Sequence, residues 1–367
     1  MRTSIHESTN IQGWQCLEAA RIDPRRSGAG GLGEAFDEAF LAVDAQAEAR
    51  SAEQWSQRYG AHPLGAPAMV AVAHAADEPV ETPGALLGHE SAANPTRVLA
   101  HWGAQSVPAR VEDESLVLGH VVDTFASNGL GHAARARIFE GVCHAFIDRH
   151  CGPRSPRFSL CFGLPVRPAW RLGRALLGYE VLQSVWRLER DATHASIAMP
   201  AGLRLEEPER FDAQDTALFD RVAAERPVTT TRPADWLAWR FHPLLSPGVR
   251  LWRVWRGDEL AGWCAFRVTE FEGERVGLIV ERVVPADDAE ARAALDGECL
   301  RAAARAGVER VVFVCAEPSP ELARMQRRGW VARPSRTTLV GRAFGRSRDA
   351  AFWGRNLVWT LADTDLA

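Results

Sequence analysis

Hydrophobic and polar positions along the chain alternate in a way that predicts the same order of strands and helices twice. In the first half the pattern predicts a helix over 34–50, strands over 69–74, 97–101 and 116–126, a helix over 132–150, a strand over 157–162, a helix over 168–177 and a strand over 179–189. In the second half it predicts strands over 251–255, 261–269 and 276–284, a helix over 287–306, a strand over 311–315, a short helix opening at Ser319 and a strand over 337–342. The chain is therefore predicted to be a mixed α/β protein built from two similar halves.

Two further features repeat between the halves. The short helix of each half ends in a Gly–aromatic pair, Gly178-Tyr179 and Gly329-Trp330. A Trp, an Arg-aromatic pair and a His-Pro-Leu triplet precede each half, at 55–64 and again at 236–244. A polar segment with two prolines, 194–208, separates the halves. We therefore predict a flexible lead over 1–32, a first domain over 33–195 and a second domain over 196–367.

A Gly-rich turn joins the strand 116–126 to the helix that follows it. Its residues are Asn128-Gly129-Leu130-Gly131. A helix that starts directly after such a turn has free backbone N–H groups and a positive dipole end, which together bind a pyrophosphate. A plain strand-to-helix turn would also use glycine, so the spacing alone leaves both interpretations open.

The order of elements and this turn resemble the GNAT N-acyltransferase fold in tandem duplication. The GNAT acyl-CoA signature is Gln/Arg-x-x-Gly-x-Gly/Ala, and Gly131 and Ala133 match it, whereas Asn128 replaces the expected Gln or Arg. The stretches from Cys161 to Tyr179 and from Asp235 to Phe241 resemble segments of bacterial tandem acyltransferases. The resemblance covers roughly residues 50 to 360.

The resemblance implies acyl transfer from a thioester donor, which is acyl-CoA (acetyl-CoA or longer) or an acyl carrier protein. The acceptor is an amine of a small molecule or a peptide. The oxyanion is expected at a backbone N–H near Thr124 or Phe125, and the general base among Asp123, His120 and Glu281. The expected donor-binding residues are Thr124, Phe125, Ala126, Asn128, Gly129, Leu130, Gly131, His132, Ala133 and Arg135.

The corresponding turn of the second half differs from the first. Pro285-Ala286-Asp287-Asp288 contains no glycine and places two carboxylates where a phosphate would lie. Since like charges repel, we expect this half not to bind CoA there but to form a wall of the acceptor cleft.

Two other interpretations stay open. In GNAT proteins a Tyr often protonates the leaving thiolate, and here Arg174 and Met325 occupy the two equivalent positions. That departure leaves room for a non-catalytic acyl-CoA-binding or scaffolding protein. The letters Gly129-x-Gly131-x-x-Ala134 also fit a Rossmann-type oxidoreductase, which would need an acidic residue at the end of the next strand. The next strand, RFSLCF, has none there.

Composition narrows the possible chemistry. The 367 residues carry a formal net charge of −4, which argues against nucleic-acid binding. All 43 basic residues counted as Lys+Arg are Arg, so Walker-A, Schiff-base and Ser–Lys chemistry are excluded. The seven Cys are widely spaced without a CxxC, so we expect small core residues and no metal. We see no secretory signal and no membrane span, and expect a cytoplasmic protein.

Overall fold

The computed structural model describes residues 14–18, 32–43, 49–73, 97–128, 130–151, 157–193, 199–224 and 226–366. These residues belong to two compact units. The first unit comprises Met1–Gln105 and Val121–Pro156, and the second comprises Ser106–His120 and Arg157–Ala367.

The helices and strands of the described residues follow one another in a mixed α/β pattern, as predicted. The helices are α1 (Leu32–Leu41), α2 (Ala52–Trp55), α3 (His132–His150), α4 (Arg167–Leu177), α5 (Ala213–Ala223), α6 (Ala234–Arg240), α7 (Ala289–Arg305), α8 (Pro320–Gln326) and α9 (Ala350–Asn356). The strands are β1 (Trp14–Glu18), β2 (Ala68–Ala73), β3 (Arg97–Val111), β4 (Glu114–Ala126), β5 (Leu160–Gly163), β6 (Glu180–Asp191), β7 (Leu203–Glu206), β8 (Val228–Thr230), β9 (Arg250–Arg256), β10 (Glu259–Phe271), β11 (Glu274–Val283), β12 (Arg310–Ala316) and β13 (Val331–Ala343).

Local sequence signals set several of these boundaries. Gly178 ends α4 in the left-handed conformation, with φ of 65°, which glycine adopts without steric strain. Asp288 caps α7, and its side chain accepts a hydrogen bond from the Ala291 backbone N–H. Ser319 caps α8 immediately before Pro320. The ends at Gly178 and Ser319 agree with the sequence prediction, and α7 begins two residues later than predicted.

Strands β1–β2–β3–β4 are neighbours in that order, and β1 pairs antiparallel to β2 and β2 to β3. Their core combines Phe36 of α1 with Val70, Val72, Val98 and Phe125 of the strands. Strand β1 is a correction, because Trp14–Glu18 lies within the predicted flexible lead and pairs with β2. The rest of that lead lies outside the described residues, apart from Leu32.

In the second unit, one strand from the first half of the chain lies between two strands of the second half. The order there is β5–β13–β6–β12–β11–β10–β9–β7. Strand β6 is antiparallel to β12 on one side and to β13 on the other, and β13 also pairs with β5. The domain boundary near residue 195 remains a prediction. The strand order of this sheet shows that the two halves of the chain contribute neighbouring strands to it.

The repeat is visible in local structure. Parallel pairing joins β4 to β5 and, in the second half, β11 to β12. The Nδ1 atom of His62 accepts a hydrogen bond from the Leu64 N–H, and that of His242 accepts one from the Leu244 N–H. The Rossmann alternative is wrong, because it requires a parallel sheet and β2–β3, β10–β11 and β12–β6 are antiparallel.

Candidate functional site

Strand β4 contains a kink at Asp123, just before the Gly-rich turn. Within the described chain, the non-glycine residues with positive φ are Glu112, Asp123 and Glu272. Glu112 and Glu272 lie in tight turns between strands, whereas Asp123, with φ of 51°, lies inside a strand. Asp tolerates this conformation better than most residues, at a cost of roughly 1 kcal/mol. A left-handed residue within a strand interrupts the pairing and redirects the following groups, as a β-bulge does.

The Asp123 carboxylate is buried in contact with two guanidinium groups and a phenol. Oδ1 accepts a hydrogen bond from Arg50 Nη2 at 2.6 Å, and Oδ2 accepts one from Arg58 Nε at 2.8 Å. The Tyr59 hydroxyl also donates to Oδ2. We call Asp123, Arg50, Arg58, Tyr59 and His101 the Asp123 cluster.

These contacts keep the Asp123 side chain ionised. Burial alone would raise the pKa of the carboxyl, but the charges of Arg58 and Arg50 and the hydrogen bond from Tyr59 outweigh it and hold the pKa well below its usual range. Burial and the nearby Asp123 charge raise the pKa of Tyr59 well above its usual value, so the phenol stays a donor. An anion stabilised in this way has little affinity for a proton.

His101 holds the backbone at the same residue. Its Nδ1 lies 2.7 Å from the Asp123 carbonyl oxygen. Burial lowers the pKa of His101 to about 4, although the Asp123 charge partly opposes that shift, so the imidazole is neutral near pH 7 and donates its Nδ1–H to the carbonyl. The kink is therefore stabilised through both the side chain and the backbone of Asp123.

The titration of His101 gives a pH dependence that can be measured. Because its folded pKa of about 4 is below the ordinary value of 6.5, its contribution to stability is complete above pH 6.5 and is lost as the pH falls toward 4. Between pH 6.5 and pH 4, the free energy of unfolding should fall by about 3 kcal/mol less in His101→Gln than in wild type. Urea unfolding of both proteins across this range measures the difference, and parallel curves for the two proteins would contradict the assignment.

The turn after β4 is held by the protein's own hydrogen bonds. The Ser127 N–H donates to the Leu99 carbonyl at 2.8 Å. The Asn128 amide donates to the Ala42 carbonyl at 2.9 Å, and its oxygen accepts a hydrogen bond from Arg135 at 2.9 Å. Asn128, which replaces the Gln or Arg of the signature, therefore connects the turn to α3. Gly129 lies outside the described residues.

No described residue caps or covers the N-terminus of α3. Gly131 is its N-cap residue and supplies no side-chain acceptor, and a Cβ added at this position would meet nothing within 4 Å. The first turn of α3 contains no acidic residue. The first hydrogen bond of the helix is donated by the Arg135 N–H to the Gly131 carbonyl, so the N–H groups of the first turn remain available for an anion.

The other predicted donor-binding residues surround this point in the first unit. Phe125 is buried against the rings of Phe36, Phe40 and His101. The remaining predicted residues are exposed or half-buried, namely Thr124, Ala126, Leu130, His132, Ala133 and Arg135. The structure thus brings the kink, the turn and the helix start together within one unit.

The other two candidate bases, His120 and Glu281, belong to the second unit. His120 is buried, and its Nε2 lies 3.5 Å from Oδ1 of Asp365. Glu281 is also buried and accepts hydrogen bonds from Arg232 Nε at 2.8 Å and Thr360 Oγ1 at 2.7 Å. Its oxygens are therefore engaged by the protein itself.

The equivalent turn of the second unit is closed by its own carboxylates. Asp288 accepts from the Ala291 N–H at 2.9 Å and pairs with Arg256 at 2.9 Å. Arg256 also contacts Glu290 at 3.0 Å. A cavity of about 970 Å³ lies against this turn, with Arg226 and Asp287 among its lining residues. The start of α7 is thus already capped, in contrast to α3.

Sequence reasoning missed the residues that hold Asp123. Arg58 and Tyr59 stood out only as part of the repeat, where they correspond to Arg240 and Phe241. Arg240 also makes buried hydrogen bonds, to the Ala362 and Thr364 carbonyls. The repeated Arg-aromatic pair was therefore a signal of buried hydrogen bonding by arginine in each half.

The described residues contain no group of three or more His, Cys, Asp or Glu side chains placed to hold a metal ion. None of the helices formed by these residues is both long and apolar enough to span a membrane. All seven cysteines are free thiols, and six of them are buried.

Comparisons with known proteins identify the fold. No family model and no curated protein matches the chain. Among solved structures, the chain is similar to a probable N-acyltransferase of Enterococcus faecalis, with a TM-score of 0.60 and 10% identity over 90% of this chain and 73% of the other. It is also similar to a GCN5-related N-acetyltransferase of Anabaena variabilis, with a TM-score of 0.58 and 12% identity over 90% and 73% of the two chains.

A tandem GNAT protein from the clavulanic acid biosynthesis pathway matches 90% of this chain and 99% of its own length, with a TM-score of 0.52 and 14% identity. At these identities the similarity shows a shared fold. The chain has the GNAT fold in tandem, and the predictions of fold class and of resemblance are confirmed.

Proposed function

We propose that the chain is an N-acyltransferase that moves an acyl group from a thioester donor, acyl-CoA or an acyl carrier protein, to the amine of a small molecule or peptide. The observation that carries the proposal is the kink at Asp123 followed by the uncapped start of α3. The GNAT fold supports acyl transfer in general.

The first unit offers two groups of donors to a thioester ligand. The open first turn of α3 suits the pyrophosphate. Arg135, whose hydrogen bond goes to a neutral amide, adds a positive charge that pairs with no carboxylate among the described residues. The kink leads into Thr124 and Phe125, whose backbone N–H groups are the proposed donors to the carbonyl oxygen of the thioester. The amine nitrogen then bonds to the carbonyl carbon, the C–S bond breaks, and the sulfur leaves as a thiol with one of the amine's protons.

We assign Asp123 a positioning role, because its carboxylate is held ionised by Arg50 and Arg58. His120 is the proposed proton acceptor. Its Nε2 lies 3.5 Å from Oδ1 of Asp365, so an imidazole and a carboxylate are adjacent at this point of the strand. The residue precedes the kink on the same strand.

A thiol-release assay tests the function. Acetyl-CoA and longer acyl-CoA, offered with a panel of amines, should release free thiol only when an amine is present, and mass spectrometry should find the acylated amine. We expect His120→Gln to lower kcat by about 10²-fold to 10⁴-fold while acyl-CoA binding is retained, because only the proton transfer is removed. Thiol release without an amine, or an unchanged kcat in the variant, would contradict the proposal.

A non-catalytic acyl-CoA-binding or scaffolding protein is the second candidate. It is favoured because the carboxylates of Asp123 and Glu281 already accept hydrogen bonds from arginine side chains of the protein. Acyl-CoA binding without thiol release in the presence of any amine would support it. For either function, free and mostly buried thiols fit a reducing compartment such as the cytoplasm.

A further inference from the structure

Helix α4 of the second unit presents a stripe of three arginines to solvent. Arg167, Arg171 and Arg174 are spaced i, i+4 and i+7, so they lie along one face of the helix, and all three are exposed. The sequence of α4, RPAWRLGRALL, contains no acidic residue. Within the part of the chain that the structure describes, none of the three forms an ion pair. We call these residues the α4 stripe.

The stripe is unfavourable for the isolated protein. Like charges at i, i+3 and i, i+4 repel each other, and the positive charge of Arg167 at the helix start opposes the helix dipole. Among the described residues of the same unit, some exposed arginines contact a carboxylate, such as Arg221 with Glu259 and Arg256 with Asp288, and others do not. What distinguishes the α4 stripe is that three such charges lie along one face of one helix, where an acidic partner would neutralise them.

Exposed apolar side chains accompany the stripe. Val166, immediately before α4, is 72% exposed, and Leu172, within the helix, is 51% exposed. Each of these two residues is the sequence neighbour of a stripe arginine, so it lies to one side of the stripe and not on the same face. A partner that covers the stripe and its margins would make charge pairs and apolar contacts together.

The helix that carries this face is rigidly held. A Cβ on Gly173 would lie 3.4 Å from the Tyr179 ring, so the helix and the next strand are in close contact there. The Tyr179 N–H donates to the Gly173 carbonyl at 3.2 Å, and Arg342 donates to the Leu177 carbonyl at 3.0 Å. Strand β5, which leads into α4, pairs with β4 at Gly119 and His120. The face therefore adjoins, along the chain, the strand pair that contains the proposed proton acceptor.

We infer that the exposed face of α4 docks an acidic acyl carrier protein, which delivers the acyl group on its phosphopantetheine arm. The inference rests on the proposed function and specifies its donor. Carboxylates spaced along a helix of the carrier would match the three guanidinium groups, which stay charged at any physiological pH. The acyl group leaves the phosphopantetheine sulfur, which departs as a thiol, and becomes the amide of the acceptor.

Kinetics with two donors of the same acyl group test the inference. Wild type and the charge-reversal variant Arg167→Glu/Arg171→Glu are assayed with an acetylated bacterial acyl carrier protein and with acetyl-CoA. Arg174 is kept, because it occupies the position at which GNAT proteins often carry the thiolate acid. We expect the KM for the carrier to rise about tenfold or more in the variant, as two exposed charge pairs become repulsive. The KM for acetyl-CoA should change less than about twofold, and raising the salt concentration should weaken only carrier use.

A matched control makes the same change of charge elsewhere. Arg327 and Arg346 are exposed and lie outside α4, and their combined replacement by Glu should leave both KM values within about twofold of wild type. An unchanged carrier KM in the α4 variant overturns the inference. So does an equal loss with both donors, which would assign the stripe to the CoA phosphates.

Direct binding separates this inference from the proposed function. If wild type transfers from neither donor, the function fails, and calorimetric titration with the unacylated carrier protein still decides the docking. Binding that the α4 variant weakens at least about tenfold supports the inference. No binding, or stronger binding to vesicles of anionic lipid than to the carrier, overturns it.

Discussion

Replacing Asp123 by Ala is expected to lower the free energy of unfolding by about 3–5 kcal/mol. The variant leaves Arg50 and Arg58 with buried positive charge and no carboxylate between them. It also deprives the Tyr59 hydroxyl of its acceptor. Since a domain is typically stable by only about 5–15 kcal/mol, this one carboxylate is expected to carry a large share of the stability.

Urea unfolding measures the effect, and two variants sharpen it. Asp123→Asn keeps the shape of the side chain but removes its charge, so it should also be strongly destabilised. Asp148, an exposed residue of α3 in the same unit, is the matched control, and Asp148→Ala should change stability by less than about 0.5 kcal/mol. If Asp123→Ala is as stable as Asp148→Ala, the Asp123 cluster does not stabilise the kink.

The same carboxylate has a predictable response to acid. Its folded pKa lies below its unfolded value, so its contribution is present above the ordinary pKa of about 3.9 and is lost as the pH falls below that value. The unfolding free energy of Asp123→Asn should therefore fall less steeply below about pH 4 than that of wild type. An Asp123 variant that keeps its fold should also lose acyl transfer, because the kink orients the backbone N–H groups of Thr124 and Phe125 that are proposed to bind the thioester carbonyl.

Removing β6 from the second half is expected to abolish folding of that half. Residues Leu182, Val185 and Leu188 of β6 are buried in the two hydrophobic clusters of the second unit. Burying side chains of this kind stabilises by about 1.5–3 kcal/mol each, so the strand contributes an amount comparable to the whole stability of a domain. Strands β12 and β13 would also lose their backbone partner.

Two forms of the chain test this expectation. A fragment of residues 199–367 should be insoluble or unfolded by circular dichroism. The full chain with a protease site inserted after Thr193 should, once cleaved, still elute as one species, because β6 remains paired with β12 and β13. A soluble, cooperatively unfolding 199–367 fragment would show that the second half does not need β6.

Local signals in the sequence predicted much of the fold. The period of apolar residues and the Gly178 cap placed α3 and α4 within one residue of their observed ends. Short β1 was missed, because five residues of strand in a polar segment produce almost no periodic signal. The sharing of β6 was missed for a different reason: local periodicity identifies a strand but not its partners, and β12 and β13 are distant in sequence.

Part of the candidate site was also predictable from the sequence. The start of α3 follows from adjacent residues, and it was placed correctly along the chain. The surroundings of Asp123 were not predictable, because Arg50 and Arg58 precede it by 73 and 65 residues. An acidic residue on a strand indicates a possible base. Only the residues around it reveal that the carboxylate is already paired with two arginines.

Calorimetric titration with acetyl-CoA tests the central claim most directly, namely that the start of α3 binds the donor. Gly131 has an ordinary φ and open space at its Cβ, so Gly131→Glu and Gly131→Gln should both fold. The Glu side chain adds a negative charge beside the proposed pyrophosphate, whereas Gln matches its size without the charge. Gly345→Glu, at another site with space for a side chain, is the control for charge alone.

We predict one acetyl-CoA bound per chain of wild type, similar binding by Gly131→Gln and Gly345→Glu, and binding weaker by about tenfold or more for Gly131→Glu, since like charges a few ångströms apart repel by about 1–3 kcal/mol. The absence of binding by wild type, or equal affinities of Gly131→Glu and Gly131→Gln, would contradict the account.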